Sequence, residues 1–151
     1  MSYRAALSWG FGVALLLGHN PLNATLGEKL DTVVLSKETQ ARKLNIQNFD
    51  TYTVHELIDA QGAKVRQYTN ASGRVFAVTW EGGRLPNLQK LLGAHFDSFS
   101  KESSSKTRRR GPLVIQSGDL TVISGGHQRD FRGQASLKNL MPPNLNQEAI
   151  Q

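Results

Sequence analysis

The chain has 151 residues, enough for one domain with a real core, and it has no cysteine, which excludes disulfides and thiolate-held metals. Its net charge is +6, but the ten residues from Lys101 to Arg110 hold five basic side chains and one acidic side chain. Because the remainder is nearly neutral, the charge distribution argues against a protein that binds nucleic acid with a whole face.

Residues 1–24 have the layout of a secretory signal peptide. Arg4 precedes an apolar run of about 14 residues at 5–18, and a polar, turn-prone stretch follows. The run is shorter than the roughly 20 residues that span a bilayer. Ala24 is the best small residue for cleavage, so we expect a mature chain in the periplasm or outside the cell. A buried cytosolic helix and an uncleaved membrane anchor are the alternatives.

The mature chain is expected to contain a lead-in segment at 25–50, an α+β domain at 51–140 and a flexible tail at 141–151. Within the lead-in, Ser36 is placed to cap a short helix over Lys37 to Leu44. The tail contains two consecutive prolines, which favour irregular structure.

Three strands are predicted in the centre, at Tyr52 to Ile58, Lys64 to Thr69 and Arg74 to Trp80. The tetrapeptides between them begin with Asp59 or Asn70 and end in glycine, as type I turns do. This spacing predicts an antiparallel meander. Strict alternation would place Phe76, Val78 and Trp80 on one face of the third strand.

An amphipathic helix is predicted to follow, with Pro86 in its first turn. Its apolar stripe consists of Leu85, Leu88, Leu91, Leu92, His95, Phe96 and Phe99. This stripe should lie on the sheet. Gly93 lies within the stripe and indicates close packing at that point.

Three further extended segments are predicted, at Pro112 to Gln116, Leu120 to Ser124 and His127 to Leu137. A basic, serine-rich stretch from Lys101 to Gly111 precedes them and is expected to be an exposed loop. The predicted fold class is therefore α+β, an antiparallel β-meander sheet with one main amphipathic helix packed on a face.

Several short motifs in this order resemble a known family. They are Leu26-Gly27-Glu28, Tyr52-Thr53-Val54-His55-Glu56, Val75-Phe76-Ala77-Val78-Thr79-Trp80, Leu85-Pro86-Asn87-Leu88, Leu91-Leu92-Gly93, Ser124-Gly125-Gly126-His127 and Phe131-Arg132-Gly133-Gln134-Ala135. Together they are similar to the exported bacterial proteins known as domain of unknown function 2844. The resemblance implies a periplasmic or secreted location, and it supplies no activity, ligand or catalytic residue. The basic stretch from Lys101 to Arg110 looks peculiar to this sequence.

The segment Gly125, Gly126 and His127 is the first candidate site. Consecutive glycines can turn backbone N–H groups toward an anion, and histidine exchanges protons near neutral pH. The other interpretation is a bulge or tight bend that needs glycine for steric reasons.

The second candidate is an anion-binding patch formed by Lys106, Arg108, Arg109 and Arg110. Such a patch suits lipid headgroups or a surface polysaccharide. It has no interleaved aromatic residue on which nucleic acid bases would stack. A solvated loop is the simpler interpretation.

No catalytic constellation, metal motif or cofactor motif is recognised in the sequence. His55 and Glu56 are neighbours in a strand and so point to opposite faces. We therefore expect a non-enzymatic accessory or binding module of the bacterial envelope, working with another envelope protein or an anionic surface. The alternatives are an anion-binding surface protein using the basic loop 101–110 and an enzyme using His127.

Overall fold

The computed structural model describes residues 25–30, 44–59, 61–106 and 111–150, and these form an antiparallel sheet of seven strands with helices on one face. The strands are β1 Leu44–Asn48, β2 Tyr52–Ile58, β3 Lys64–Asn70, β4 Val75–Gly82, β5 Leu113–Ser117, β6 Leu120–His127 and β7 Asp130–Leu137. Helix α1 Leu88–Leu92, a 3-10 turn Gly93–His95 and helix α2 Phe96–Ser105 connect β4 to β5. The predicted α+β fold class is confirmed.

The order of the strands across the sheet is β1-β2-β3-β4-β7-β6-β5. The prediction of a single meander is therefore partly wrong, because two meanders, β1 to β4 and β5 to β7, meet where β7 pairs with β4. The helical connection takes the chain from β4 to the far edge, and β6 and β7 then return toward the centre. Both central strands are thus hydrogen-bonded on each side.

Two side-chain-supported turns set the pairing of β2, β3 and β4. The Asp59 Oδ1 atom accepts hydrogen bonds from the backbone N–H groups of Gln61 and Ala63, at 2.9 and 2.8 Å. The Asn70 carbonyl accepts from Gly73 N–H at 2.8 Å, and Gly73 has a φ of 73°. Glycine adopts this left-handed conformation without steric cost. The turn residues recognised in the sequence therefore set the pairing of β2 with β3 and of β3 with β4.

A β-bulge in β4 changes which face Phe76 occupies. Thr69 of β3 pairs with Val75, whereas the preceding Tyr68 pairs with Ala77, so Phe76 is an extra residue in β4. An extra residue interrupts the alternation of side chains. Val75 therefore packs with Val78 and Trp80 against the helices, and Phe76 packs on the opposite face. The prediction that Phe76 shares a face with Val78 and Trp80 is wrong for this reason.

The helices cover one face of the sheet, the helix face, through Leu92 and Phe99. The expected exposed loop from Lys101 to Gly111 is partly wrong, because α2 continues to Ser105 and Lys101 to Ser105 are therefore helical. Two details of the start of the predicted helix are also wrong. Asn87 is the N-cap, accepting from Lys90 N–H at 3.0 Å, so Pro86 precedes the helix. Leu85 also lies before the helix and is exposed.

Gly93 interrupts the helical segment where the N-terminal segment 25–30 crosses it. A Cβ on Gly93 would lie 1.9 Å from Cγ2 of Thr25, which confirms the close packing predicted there. Leu26 is only 2% exposed, and its N–H donates to the Leu91 carbonyl at 3.0 Å. The segment therefore belongs to the core.

The ends of the domain differ from the expected boundaries. The lead-in contributes β1 to the sheet, and Leu44, the last residue of the predicted short helix, begins that strand. The rest of that helix and residues 1–24 lie outside the described residues. In place of a flexible tail, residues 141–150 pack on the sheet, where Ile150 is only 3% exposed. Apolar side chains spaced along this segment, Leu145 among them, outweigh the effect of the two prolines.

Candidate functional site

The sheet face opposite the helices, here called the groove face, holds the candidate site. It carries Tyr52, Val54 and Glu56 of β2, Lys64, Arg66 and Tyr68 of β3, Thr79 and Glu81 of β4, Ile123 of β6, and Arg132 and Gln134 of β7. The C-terminal segment covers the part around Tyr68, Phe76 and Ala77 with Leu145 and Ile150. The polar part beside it is left open.

Oppositely charged side chains form a ladder across the groove face. Arg66 Nε lies 2.8 Å from Glu56 Oε2, and Lys64 Nζ lies 2.8 Å from Glu81 Oε1. The Arg66 Nη2 atom is also 3.7 Å from Glu81 Oε1. Partly exposed pairs of this kind contribute little to stability. Their effect is to hold long side chains in fixed positions on the face.

Glu81 is the carboxylate of this ladder that contacts two basic side chains, Lys64 and Arg66. A hydrogen bond from Lys64 is the main cause that lowers its pKa, and the positive charges of Lys64, Arg66 and Arg132 act in the same direction. Partial burial opposes them. The carboxylate is therefore ionised at neutral pH and serves as a hydrogen-bond acceptor.

A central groove with a volume of about 590 Å³ lies between the ladder and the β5–β6 hairpin. Arg66, Thr79, Glu81 and Gln134 line it from the sheet, and Ile123 forms an apolar wall. Thr79 is only 6% exposed, and its hydroxyl has no hydrogen-bond partner among the described residues. Buried hydroxyl groups in native proteins normally have one.

A smaller cavity of about 300 Å³, the aromatic cleft, lies beside the central groove. Phe49, Tyr52, Gln47 and Glu56 line the cleft, and Arg66 lines both cavities. The Phe49 and Tyr52 rings are stacked with centroids 4.6 Å apart and planes 12° apart. The two cavities therefore adjoin at Arg66, and the C-terminal segment lines both, through Ala149 in the aromatic cleft and Ile150 in the central groove.

The glycine segment predicted as a site lies partly at this groove. Gly125 and Gly126 line the rim, but they continue β6 and do not form a bend. Gly126 has a φ of 117°, and a Cβ there would lie 2.0 Å from the Asp130 carbonyl oxygen. Steric constraints therefore require glycine at this position. The turn itself is at Gln128 and Arg129.

His127 lies at the tip of that hairpin and does not itself line the groove. Its side chain is 81% exposed, and its Nδ1 atom is 3.1 Å from the Gln128 carbonyl oxygen. Its Nε2 atom lies 3.9 Å from Oδ2 of Asp130, which does line the groove. The structure therefore brings His127 to the end of the groove through Asp130.

The basic patch falls mostly outside the described residues, since 107–110 are not described. Lys106, the patch residue that is described, donates from Nζ to the Val114 carbonyl oxygen at the outer edge of β5. A lysine at an edge strand protects its free backbone groups from pairing with another chain. The anion-binding hypothesis for Arg108, Arg109 and Arg110 stays a prediction.

Sequence analysis missed the groove residues Glu56, Arg66, Thr79 and Gln134. The available signal was a charged or polar residue at every second position of strands that otherwise look buried. Glu56 and Arg66 are cross-strand partners whose register follows from the predicted turn after Asp59. What could not be read was the strand order, which brings Gln134 of β7 beside Thr79.

The described residues contain neither a candidate metal site nor a candidate membrane-spanning helix. No group of three or more histidine, aspartate or glutamate side chains there is arranged to hold a metal ion. None of the helices in the same ranges has the length and apolar character needed to cross a membrane.

Comparisons with known proteins give one match. No curated protein and no solved structure matches the chain. A family model described as "Protein of unknown function (DUF2844)" matches residues 22–150. This range includes the N-terminal segment 25–30, the whole sheet and the C-terminal segment. The chain therefore belongs to this family of unknown function.

Proposed function

We propose that this chain is an exported, non-enzymatic binding module of the bacterial envelope and that it holds its ligand on the groove face. The observation that carries the proposal is the buried Thr79 hydroxyl, which lines the central groove without a partner among the described residues. The oxygen itself is buried, so a ligand in the groove would supply that partner after a rotation of the Thr79 side chain that turns the hydroxyl toward it.

The energetics of the hydroxyl support this interpretation. Leaving a buried polar group without a hydrogen bond costs about 1–3 kcal/mol. Valine has nearly the same shape as threonine and would remove this cost, yet threonine occupies the position where the groove opens. Binding sites commonly retain groups that are unfavourable for the empty protein.

The chemistry of the groove favours binding over catalysis. Its charged groups are engaged in ion pairs with one another, as Glu56 and Arg66 are at 2.8 Å. A catalytic site needs a nucleophile or a general base within hydrogen-bond reach of a reacting group. His55 lies on the helix face, and His127 does not line the groove but contacts Asp130 at its end, at 3.9 Å.

Export is supported by the layout of residues 1–24 and by the start of the folded core. Thr25 and Leu26 are both buried, so processing has to leave these residues on the chain. Cleavage after Ala24 would satisfy that condition. The family match begins at residue 22, and the apolar run at 5–18 thus lies wholly outside the matched part.

The proposal is tested by replacing the hydroxyl with an isosteric methyl group, in Thr79→Val. We expect the free energy of unfolding to stay the same or to rise by up to about 1–3 kcal/mol. Thr69→Val is the matched control, because Thr69 is equally buried and its hydroxyl donates to the Thr53 carbonyl oxygen. The control should lose about 1 kcal/mol.

The binding part of the test uses soluble envelope material, separated into an oligosaccharide fraction and a peptide fraction. At least one fraction should stabilise the wild-type protein against urea, because a ligand that binds only the folded state raises its stability. Thr79→Val should be stabilised less. No stabilisation by either fraction, or a loss for Thr79→Val equal to that of the control, would contradict the proposal.

A further inference from the structure

We propose that the ligand of the groove face is a carbohydrate chain, with one sugar ring stacked on Phe49 and its hydroxyl groups bound by the Glu56–Arg66 pair. The inference rests on the proposed function and names the ligand class for the same site. Four features of the face carry it: an aromatic platform, paired polar groups, balanced charge and fully paired central strands.

The aromatic platform is Phe49, which is 48% exposed although it is large and apolar. Tyr52 covers one side of its ring by stacking, and the Phe49 N–H donates to the Tyr52 carbonyl oxygen at 2.9 Å. The ring is thus held in place, and the Phe49 and Tyr52 rings both line the aromatic cleft. The face of an aromatic ring is electron-rich, and it attracts the weakly positive C–H groups on the flat side of a sugar ring.

The polar groups beside the platform match sugar hydroxyl groups. Glu56 only accepts hydrogen bonds, Arg66 only donates them, and Gln47 does both. The 2.8 Å contact between Glu56 and Arg66 uses part of their capacity and fixes their positions. Because each sugar hydroxyl is a donor and an acceptor, it can bind to both members of such a pair.

The charges on the groove face balance one another. Glu56 and Glu81 face Lys64 and Arg66 in the ladder, and Asp130 pairs with Arg132 at 3.0 Å. A face without surplus charge gives no strong attraction to a highly charged polymer. It suits a ligand that is neutral and rich in hydrogen-bonding groups.

The sheet topology disfavours a peptide in this groove. Extended peptides are commonly recognised by adding a strand to a free sheet edge, where backbone groups are unpaired. The groove lies on β3, β4 and β7, and each of these strands is hydrogen-bonded to a neighbour on both sides. The central groove therefore offers a ligand side-chain groups and no backbone ladder, whereas the aromatic cleft lies at β1, the edge strand.

The extent of the site indicates an oligosaccharide. Arg66 lines both the aromatic cleft and the central groove, and Thr79, whose hydroxyl has no partner among the described residues, also lines the groove. β1 and β4 are three strand spacings apart, which corresponds to about 14 Å. A single sugar ring cannot contact both Phe49 and Thr79, whereas a short chain can.

The test is calorimetric titration of the protein with cellotetraose, maltotetraose and the β-1,4-linked tetramer of N-acetylglucosamine, with the corresponding single sugars alongside. At least one tetramer should bind, and its affinity should exceed that of its single sugar. Phe49→Ala should weaken binding at least tenfold, while Phe49→Trp should retain it, because the aromatic platform is kept. Leu85→Ala is the matched control, since Leu85 is similarly exposed but lies outside the groove face.

Urea denaturation of each variant checks that the fold is intact, which we expect because Phe49 is half exposed. Absence of binding by all three tetramers, or equal binding by Phe49→Ala and wild type, would overturn the carbohydrate assignment. Binding of the envelope peptide fraction in a manner that depends on Thr79 would also overturn it while leaving the proposed binding function in place. The two failures are therefore distinguishable.

Discussion

His55 shows how one residue links burial to pH on the helix face. It is buried beside Thr69, with its Nε2 atom 3.4 Å from Thr69 Oγ1, while its Nδ1 atom has no partner among the described residues. The Thr69 hydroxyl also lies within 3.4 Å of the Thr53 carbonyl oxygen. Burial disfavours the charged imidazolium and lowers the pKa of His55 from its ordinary value of 6.5.

This lowered pKa predicts a loss of stability in mild acid. Below pH 6.5 the unfolded chain binds a proton at His55 that the folded chain resists, so the free energy of unfolding should fall as the pH falls from 7.5 to 5. His55→Gln should flatten this dependence, as measured by urea denaturation across that range. If the free energy of unfolding depends on pH equally in the wild type and in His55→Gln, the lowered pKa of His55 is not the cause of the acid sensitivity.

Packing sets the identity of another residue, Gly133. A Cβ there would lie 2.3 Å from Cζ2 of Trp80 and 2.7 Å from the Ile123 carbonyl oxygen. We predict that Gly133→Ala lowers the free energy of unfolding by about 1–3 kcal/mol, because the core has to shift to accept the methyl group. Gly83→Ala is the control, since its nearest neighbour would be 3.7 Å away. If both variants unfold at the same urea concentration, Trp80 does not lie over Gly133.

At the scale of elements, the strands were predictable where turn residues mark them. β2 has the predicted bounds, and β3 and β4 differ by a residue or two, because Asp59 and Asn70 build turns with their own side chains. The bulge at Phe76 was not predictable, because an extra residue in one strand leaves no pattern in the apolar alternation. β1 was missed because its sequence, LNIQN, is polar and lies at the sheet edge.

The candidate site was less predictable than the strands. Its residues come from β2, β3, β4 and β7, and only the local pairing of β2 with β3 follows from a short turn. The junction of β4 with β7 depends on where the helical connection takes the chain. The C-terminal segment was also missed, because its few apolar residues have no periodic spacing.

The bulge can be tested through the coupling of substitutions on the two faces. Phe76→Ala should cost about 3–5 kcal/mol and Ile150→Ala about 2–5 kcal/mol. Because both side chains lie in one cluster, their effects should be coupled by about 0.5–3 kcal/mol. Phe76→Ala and Leu92→Ala should be additive, since Leu92 packs on the opposite face. The reverse pattern in urea denaturation would place Phe76 on the helix face.

At the scale of the whole molecule, the sheet has a core on each face. The helices and the N-terminal segment cover one face, and residues 141–150 cover part of the other. The open polar part of the groove face holds the central groove. The C-terminal segment stands beside this groove and gives it depth. Ile150 both fills the second core and lines the central groove, so the same segment stabilises the fold and shapes the site.

Export makes a prediction about the mature chain. Mass spectrometry of the protein recovered from the envelope fraction should find an N-terminus near Thr25, because Leu26 has to remain for the core to form. Replacing Ala24 with a large residue should slow processing and leave the longer chain. Recovery of soluble cytoplasmic protein that still begins at Met1 would contradict export.

The central claim, that the groove face is the binding face, is tested most directly by backbone amide NMR of the protein titrated with the oligosaccharide that binds it. We expect chemical-shift changes for backbone amides of β2, β3, β4 and β7 around Arg66, Thr79 and Gln134, and for the amide of Phe49. Amides of the helices and of the turn after His127 should stay unchanged. Shift changes confined to the residues around Lys106 or to the turn after His127, with none at Thr79, would contradict the claim.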